Sequence, residues 1–507
     1  MRIVVVGAGA AGLAAAARLA ALGHSVTVLE RAAVAGGKCG LVERGGYRFD
    51  SGPSLLTMPW VFEELFAATG APLAEELELV RVEPVTRYRF ADGTGFDLGA
   101  DLPPTLAALE EWSPGAGTDW AAFMGACASM WPASLRYLSA PPPWPPRRPT
   151  PTEPSPHPLD LLRVRPWRTL RSLARAHLRD PRLRLVAERF ATYAGADPRR
   201  APAALAAAGY VEHAFGAWHV AGGLHRLVEA LARRVERLGG ELRLGTGARR
   251  IVCSGGDGTP SRVRAVESDA EAIECDAVVG GVDAQALFAG LLEPGPRSRA
   301  GVERSRARRE RSRVLEAERS LSGFVLMLGL RGRTPGLPHH TILFPADYDA
   351  EFDDVFTRRR PVADPTLYLS ASVASDPTQA PAGGENLFVL VNAPTNGGGL
   401  DWDAHADAYE AHLLERLAAR GVDVRERIEV RARRTPADLE RETGAPGGAI
   451  YGAAPHGRVR GSLDRPGNAA RGVGGLHLVG GTVHPGGGLP LVALGARLVA
   501  EQIGPAD

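Results

Sequence analysis

The chain has 507 residues, 45% of them hydrophobic and 23% charged, with a formal net charge of +1. That length exceeds one ordinary core, so two lobes are expected, and near-neutrality argues for neither nucleic acid nor a broadly acidic partner. Four cysteines (Cys39, Cys127, Cys253, Cys275) are scattered without a CxxC pair, which suits a reducing cytoplasm and speaks against a metal site or a disulfide framework. At the start, glycines interrupt the apolar run that a signal peptide would need. Residues 3–6 read as a short apolar strand running into Gly7-x-Gly9-x-x-Gly12, with an alanine-rich helix after it. Strand, glycine turn and helix in that order form a dinucleotide-binding unit. Gly7 allows the tight turn, Gly9 lets backbone approach a pyrophosphate, Gly12 lets helix and strand pack closely, and all three should cradle the pyrophosphate. Ala10 and Ala11 belong to the same cradle, where the helix N-terminus offers N–H groups to phosphate.

The second strand, residues 25–29, ends on Glu30, at the spacing where a carboxylate accepts from ribose hydroxyls. An acid there suits FAD or NAD and disfavours NADP. Arg31 follows, then Gly36-Gly37-Lys38 and Gly52-Pro53. NAD domains do not usually carry a second glycine pair just past the acidic residue. Here the pair and Lys38 would reach the diphosphate and ribityl side of a longer cofactor. The pattern resembles the FAD-binding start of the glutathione-reductase and amine-oxidase superfamily.

Residues 62–70 form a short helix with a glycine stop, and strand-like pieces follow at 85–90. The proline-rich stretch 140–158 cannot hold regular structure and reads as an extended surface loop. Around 167–178, WRTLRSLARAHL carries Trp and leucines on one side and arginines on the other, the composition of a helix lying in a bilayer interface or of an ordinary amphipathic surface helix. Gly222-Gly223 precedes an amphipathic helix, 225–238. Strand patterns at 241–244, 248–252, 262–267 and 275–283 form a second αβ block able to complete a parallel sheet. Residues 297–319 are arginine-rich but interspersed with glutamate, which reads as a solvated helix face. Alternating strands at 323–330, 367–373 and 386–391 predict an antiparallel sheet with one covered face. His339 and His340, adjacent on a strand, should point to opposite faces, so a structural role is expected for both. Residues 476–479 form a strand, 480–490 a glycine-rich loop, and 491–503 a helix. Five glycines within nine residues there mean that backbone comes very close to something. No run of about 18 to 20 uncharged apolar residues marks a transmembrane helix.

Together these segments resemble the carotenoid desaturase family of phytoene-desaturase type. The similar motifs run from GAGAAGLAAAARLAALGHSVTVLE through FDSGPSLLTMPWVFEELF and HVAGGLHRLVEAL to LVGGTVHPGGGLPLVALGAR. Thr57-Met58 is similar to the hydroxycarotenoid 3,4-desaturase branch. The resemblance implies an α/β fold: a Rossmann-like FAD-binding domain (1–75, 220–290, 455–507) and an inserted α+β substrate domain with an antiparallel sheet (76–219, 291–454), membrane-facing. It implies FAD, a lipophilic polyene substrate, and removal of two hydrogens from a C–C single bond. Val252 would face the adenine; Gly481, Leu489, Pro490 and Leu491 would sit at the ribityl and isoalloxazine end. A cytoplasmic protein touching the inner face of the membrane is implied. Because conjugation spreads the positive charge left by hydride loss, no catalytic acid or base is assigned. His484 is expected to fix backbone. The electron acceptor, oxygen or a quinone, stays open, and so does the alternative of a carotenoid oxygenase, ketolase or isomerase.

Overall fold

A computed structural model describes residues 1–142, 160–254, 261–292, 302–457 and 465–506. Five parallel strands form one sheet in the order Leu476–Leu478, Ala277–Gly280, Arg2–Val6, Ser25–Leu29 and Glu241–Arg243. The central strand is buried from Ile3 to Val6, which is why its sequence is an unbroken β-branched run. Its side chains alternate between two cores. Ile3 and Val5 meet the helices Ala10–Ala21, His225–Arg237 and Leu489–Ile503. Val4 and Val6 meet Ile251, Val263 and Val266 of a second, mainly antiparallel sheet.

That second sheet corrects one expectation. Of the αβ block, only Glu241–Arg243 and Ala277–Gly280 join the parallel sheet. Ala248–Ser254, Ser261–Ser268 and Ala272–Glu274 pair antiparallel and cover its other face.

A seven-stranded sheet builds the other lobe, in the order Ile428–Arg434, Ser322–Leu330, Glu385–Ala393, Leu367–Ser370, His340–Leu343, Thr86–Arg89 and Gly95–Leu98. All its pairings are antiparallel except His340–Leu343 with Thr86–Arg89. The sequence predicts one covered face, yet Ser322–Leu330 is buried throughout. Phe324, Leu326 and Leu328 pack on the helix Trp402–Ala419 through Trp402, Tyr409 and Leu413. Val325 and Met327 pack on Tyr47 and Phe49 from the hairpin Leu41–Arg44/Tyr47–Asp50. The hairpin and the helix therefore sandwich this sheet.

Helices Leu102–Trp112, Ala116–Ser139, Leu170–His177, Pro181–Arg189 and Ala207–Phe215 gather at its edge around Tyr88, Phe96 and Phe344. Leu170, Leu173 and Ala174 are buried in that core, so the apolar face of Leu170–His177 is already occupied and is not free for a bilayer. Trp167 and Leu162 beside it stay exposed, at 52% and 57%. The arginine-rich run forms the helix Val302–Glu316, anchored by buried Val314 and Glu310; residues 297–301 lie outside the described residues, as does most of the proline stretch. Among the described residues no helix is long and apolar enough to cross a membrane.

Candidate functional site

One cavity of about 1730 Å³ runs between the two lobes. Small-molecule pockets usually hold about 300–1,000 Å³, so this one has room for more than one ligand of ordinary size. The parallel sheet delivers its first wall. Gly7, Gly9, Ala10, Ala11, Glu30, Arg31, Gly36, Gly37, Lys38, Gly52 and Pro53 all line it. The carboxyl-terminal loop supplies the opposite wall with Gly481, Leu489, Pro490 and Leu491. The cavity thus brings together segments from the two ends of the chain.

Two expected residues do not reach it. A Cβ at Gly12 would stand 2.0 Å from the Gly7 carbonyl oxygen, so Gly12 serves helix packing rather than the wall. Val252 is also absent from the lining; Gly247 and Ala248, a few residues earlier in the same region, reach the cavity beside Asp269. The strand Ala248–Ser254 enters the cavity only at its first residue.

The walls are built to receive an anion. The helix Ala10–Ala21 starts at Gly9 with no side-chain cap, and Leu489–Ile503 starts at Gly488 with none either. Both N-termini therefore present unpaired backbone N–H groups to the cavity. A Cβ on Gly9 would meet nothing closer than 3.8 Å, which leaves that face of the turn open to a ligand. Glu30 accepts from Ala8 N–H at 2.8 Å and Ala32 N–H at 2.9 Å, fixing its carboxylate at the mouth of the turn. Lys38 Nζ donates to the Ala449 and Ile450 carbonyls at 3.1 and 2.6 Å. Burial pushes its ammonium down to about 8, against the opposing pull of Asp283.

The glycine-rich loop has separate reasons for its glycines. Gly480, Gly486 and Gly488 hold φ of +128, +139 and +113°, a region that side chains rarely adopt. A Cβ on Gly487 would fall 2.4 Å from the Tyr451 ring, which lies against the loop. Arg465 donates to the Gly481 carbonyl from below. His484 is almost fully buried and does not line the cavity. Its Nε2 meets the Ala140 carbonyl at 2.8 Å and its ring stands edge-on to Tyr137 at 4.9 Å. Burial pushes it down to about 4, so it is a neutral strut between the loop and the end of the helix Ala116–Ser139.

The remaining wall is largely apolar, with Trp131, Phe190, Val211, Leu321, Val325 and Phe388. Within it lies His340. His339 precedes the strand, so the two histidines do not take opposite faces; their rings lie 4.3 Å apart, and both are buried. His340 faces the cavity, and His339 hydrogen-bonds Ser375 at 2.8 Å.

Residues 10–321 match the family described as flavin containing amine oxidoreductase. The chain belongs to that family. This oxidoreductase is 36% identical over 514 residues to a hydroxyneurosporene desaturase of Rubrivivax gelatinosus, covering 99% of this chain and 93% of the relative. It is 33% identical over 508 residues to a zeta-carotene-forming phytoene desaturase of Myxococcus xanthus, with the same two coverages. An oxidoreductase of Methanosarcina mazei shares the fold at a TM-score of 0.64 and 18% identity, over 99% of this chain and 100% of that one. The protein is an FAD-dependent oxidoreductase. The residues fit that cofactor: two uncapped helix N-termini, an unobstructed Gly9 and the carboxylate of Glu30 share one cavity. Sequence reasoning about the oxidoreductase missed Arg465, Tyr451, Ala248 and Asp283 as wall residues. Asp283 ended a strand pattern noted in the sequence, and its Oδ2 has no partner among the described residues.

Proposed function

We propose that this flavoenzyme desaturates a carotenoid in carotenoid biosynthesis, removing two hydrogens from a C–C single bond of a lipophilic polyene. One observation carries the reading. The cavity that begins at the dinucleotide turn continues, without a dividing wall, into an apolar chamber of the other lobe. Both relatives named above are called desaturases. FAD supplies the hydride acceptor, a role no side chain can fill. The protein's part is to hold the polyene in the apolar chamber and keep water from the charge that develops. Bound FAD would take the hydride, the conjugated chain would spread the positive charge left behind, and the neighbouring carbon would release its proton to solvent as the new double bond forms.

For the cofactor we assign Gly7, Gly9, Ala10 and Ala11 to the pyrophosphate, Glu30 to the ribose, and Gly36, Gly37 and Lys38 to the diphosphate side. Gly481, Leu489, Pro490 and Leu491 take the flavin end. Ala248 replaces Val252 at the adenine. Glu30→Ala should lower the flavin content of the purified protein; unchanged occupancy would remove the assignment.

A polyene has to leave a bilayer to enter. Exposed Trp167 and Leu162, not the buried face of Leu170–His177, are the groups available for that contact. Flotation with anionic liposomes tests it: Trp167→Ala with Leu162→Ala should weaken association several-fold, and a protein that never floats ends this part of the reading.

Expression in a bacterium accumulating an acyclic carotene, followed by pigment mass spectrometry, tests the activity. Loss of two hydrogens per turnover is the expected result. Gain of oxygen would mark an oxygenase or ketolase, and unchanged mass an isomerase.

A further inference from the structure

The wall formed by the glycine-rich loop holds a charge that the desaturation reading does not use. Arg465 lines the cavity and is only 8% exposed. Its Nη1 donates to the Gly481 carbonyl and lies 3.7 Å from the place a Cβ on Gly486 would take. The guanidinium is therefore pressed against the loop that leads into the helix Leu489–Ile503. No carboxylate among the described residues forms an ion pair with it. The titratable groups that share its field are Tyr137, Tyr451, Lys38 and His484. Burial raises both phenols, Tyr137 to about 12, so neither is an anion, and it keeps His484 neutral. Lys38 adds a second positive charge.

An arginine stays protonated inside a protein. Burying it without an anion is costly, because its water is lost and nothing replaces it. The counter-charge must then come from a ligand. A hydrocarbon polyene carries none, and the assignment above gives the cofactor's diphosphate to the turn at Gly7 to Ala11 and to Lys38. What remains is the charge created during turnover. When a C–H bond of the polyene breaks, hydrogen and two electrons pass to the flavin ring, which becomes an anion. The carbon skeleton becomes a cation and then loses a proton to solvent. A fixed positive charge beside the ring favours the reduced form over the oxidised one, since only the reduced form carries the new negative charge. The uncapped N-terminus of Leu489–Ile503 acts in the same direction.

We propose that Arg465 is the counter-charge of the reduced flavin, holding the two-electron-reduced ring as an anion and so raising the potential at which the cofactor accepts hydride. The inference rests on the assignment of Gly481 and Leu489 to Leu491 to the flavin end, and it is independent of which carotenoid binds.

Arg465→Gln removes the charge and keeps a donor for the Gly481 carbonyl, whereas Arg465→Lys keeps the charge. The midpoint potential of bound FAD and the affinity for oxidised FAD are measured on the wild type and both variants, each flavin-replete and full-length. Arg465→Gln should bind oxidised FAD as the wild type does and hold the reduced form about tenfold less tightly, which lowers the two-electron potential by about 30 mV. Arg465→Lys should restore most of that shift. Arg465→Met, which keeps the buried stem, takes the place of the glutamine variant if that one fails to fold. Hydrogen exchange separates this inference from the assignment beneath it. Protection of residues 486–492 by FAD, with an unchanged potential in Arg465→Gln, would overturn the role of the charge and leave the flavin end where it is. No protection there would overturn both. Equal loss of affinity for oxidised and reduced FAD would give Arg465 to the diphosphate, and a lysine variant as low in potential as the glutamine one would give the effect to shape; either result removes the proposal.

Discussion

At the residue scale, Gly9 and Gly12 belong to one motif but answer to different forces. A Cβ on Gly12 would stand 2.0 Å from the Gly7 carbonyl oxygen, where nothing flexible can yield, whereas one on Gly9 has no neighbour within 3.8 Å. Gly12→Ala should destabilise the apoprotein by about 1–3 kcal/mol, the usual cost of overpacking, seen as a lower unfolding midpoint without FAD. Gly9→Ala should leave that midpoint nearly unchanged and weaken FAD binding by about tenfold or more, because the methyl group occupies the ligand's approach. Equal loss of apoprotein stability in both variants would contradict this division. Lys38 allows a pH test. Burial outweighs the attraction of Asp283 and pushes its ammonium down to about 8. Below pH 8 it is already charged, so binding the cofactor's diphosphate requires no proton. Above pH 8 it must first take one up, and FAD affinity should fall about tenfold per pH unit until the lysine of the complex itself titrates. Lys38→Met should bind more weakly at pH 7 and show no such slope. A wild-type affinity flat from pH 7 to 9.5 would remove Lys38 from the diphosphate site.

Elements were legible in the sequence where a backbone constraint leaves a repeated mark. The strand–turn–helix at residues 2–21 and the glycine loop before Leu489–Ile503 are written in glycines, most of which a clash or a positive φ closes to side chains. Positions marked only by tertiary contact were not legible. Arg189 is one arginine among several on Pro181–Arg189, and nothing in the spacing separates it from Arg182, which pairs with Asp180. His339 and His340 misled because alternation holds only inside a strand, and the strand begins at His340. The apolar stripe of Leu170–His177 looks the same in sequence whether a bilayer or a protein core receives it. Asp376 was equally silent, although it fastens the segment before the helix His225–Arg237 to the lobe of the seven-stranded sheet. It accepts from Gly222 N–H at 2.7 Å, Thr378 N–H at 3.0 Å and Gln379 Nε2 at 2.9 Å. Burial raises its carboxyl, but the bonds from the Thr378 hydroxyl, Gly222 N–H, Thr378 N–H and His219 outweigh burial and hold it down to about 2. A carboxyl depressed in the folded state contributes its stability above the unfolded value near 4 and loses it as pH falls toward 2. Asp376→Asn should therefore cost about 2 kcal/mol at pH 7 and progressively less from pH 4 to 2, measured as urea unfolding across that range. An equal loss at every pH would assign the effect to packing instead.

At the scale of the whole molecule, the cavity makes the two ends of the chain depend on one ligand. Val279, on the strand beside Arg2–Val6, pairs with His477 on the carboxyl-terminal strand, and Ala10–Ala21 packs with Leu489–Ile503 in one core. Backbone N–H groups at the starts of both helices face the same space. A ligand that spans this space binds the folded form only, so it stabilises by mass action, about 2.7 kcal/mol at a hundred times its Kd. The distribution of that stabilisation is the sharper test. If one FAD bridges both walls, hydrogen exchange on titration should slow together at residues 7–12 and 486–492, with the same half-saturation concentration. Gly9→Ala should shift both responses equally, although it alters only the first wall. NAD, which carries the adenine half without a flavin, should protect 7–12 alone if it binds at all. Protection of the first segment by FAD with no change at 486–492 would mean that the carboxyl-terminal loop closes the fold but takes no part in holding the cofactor.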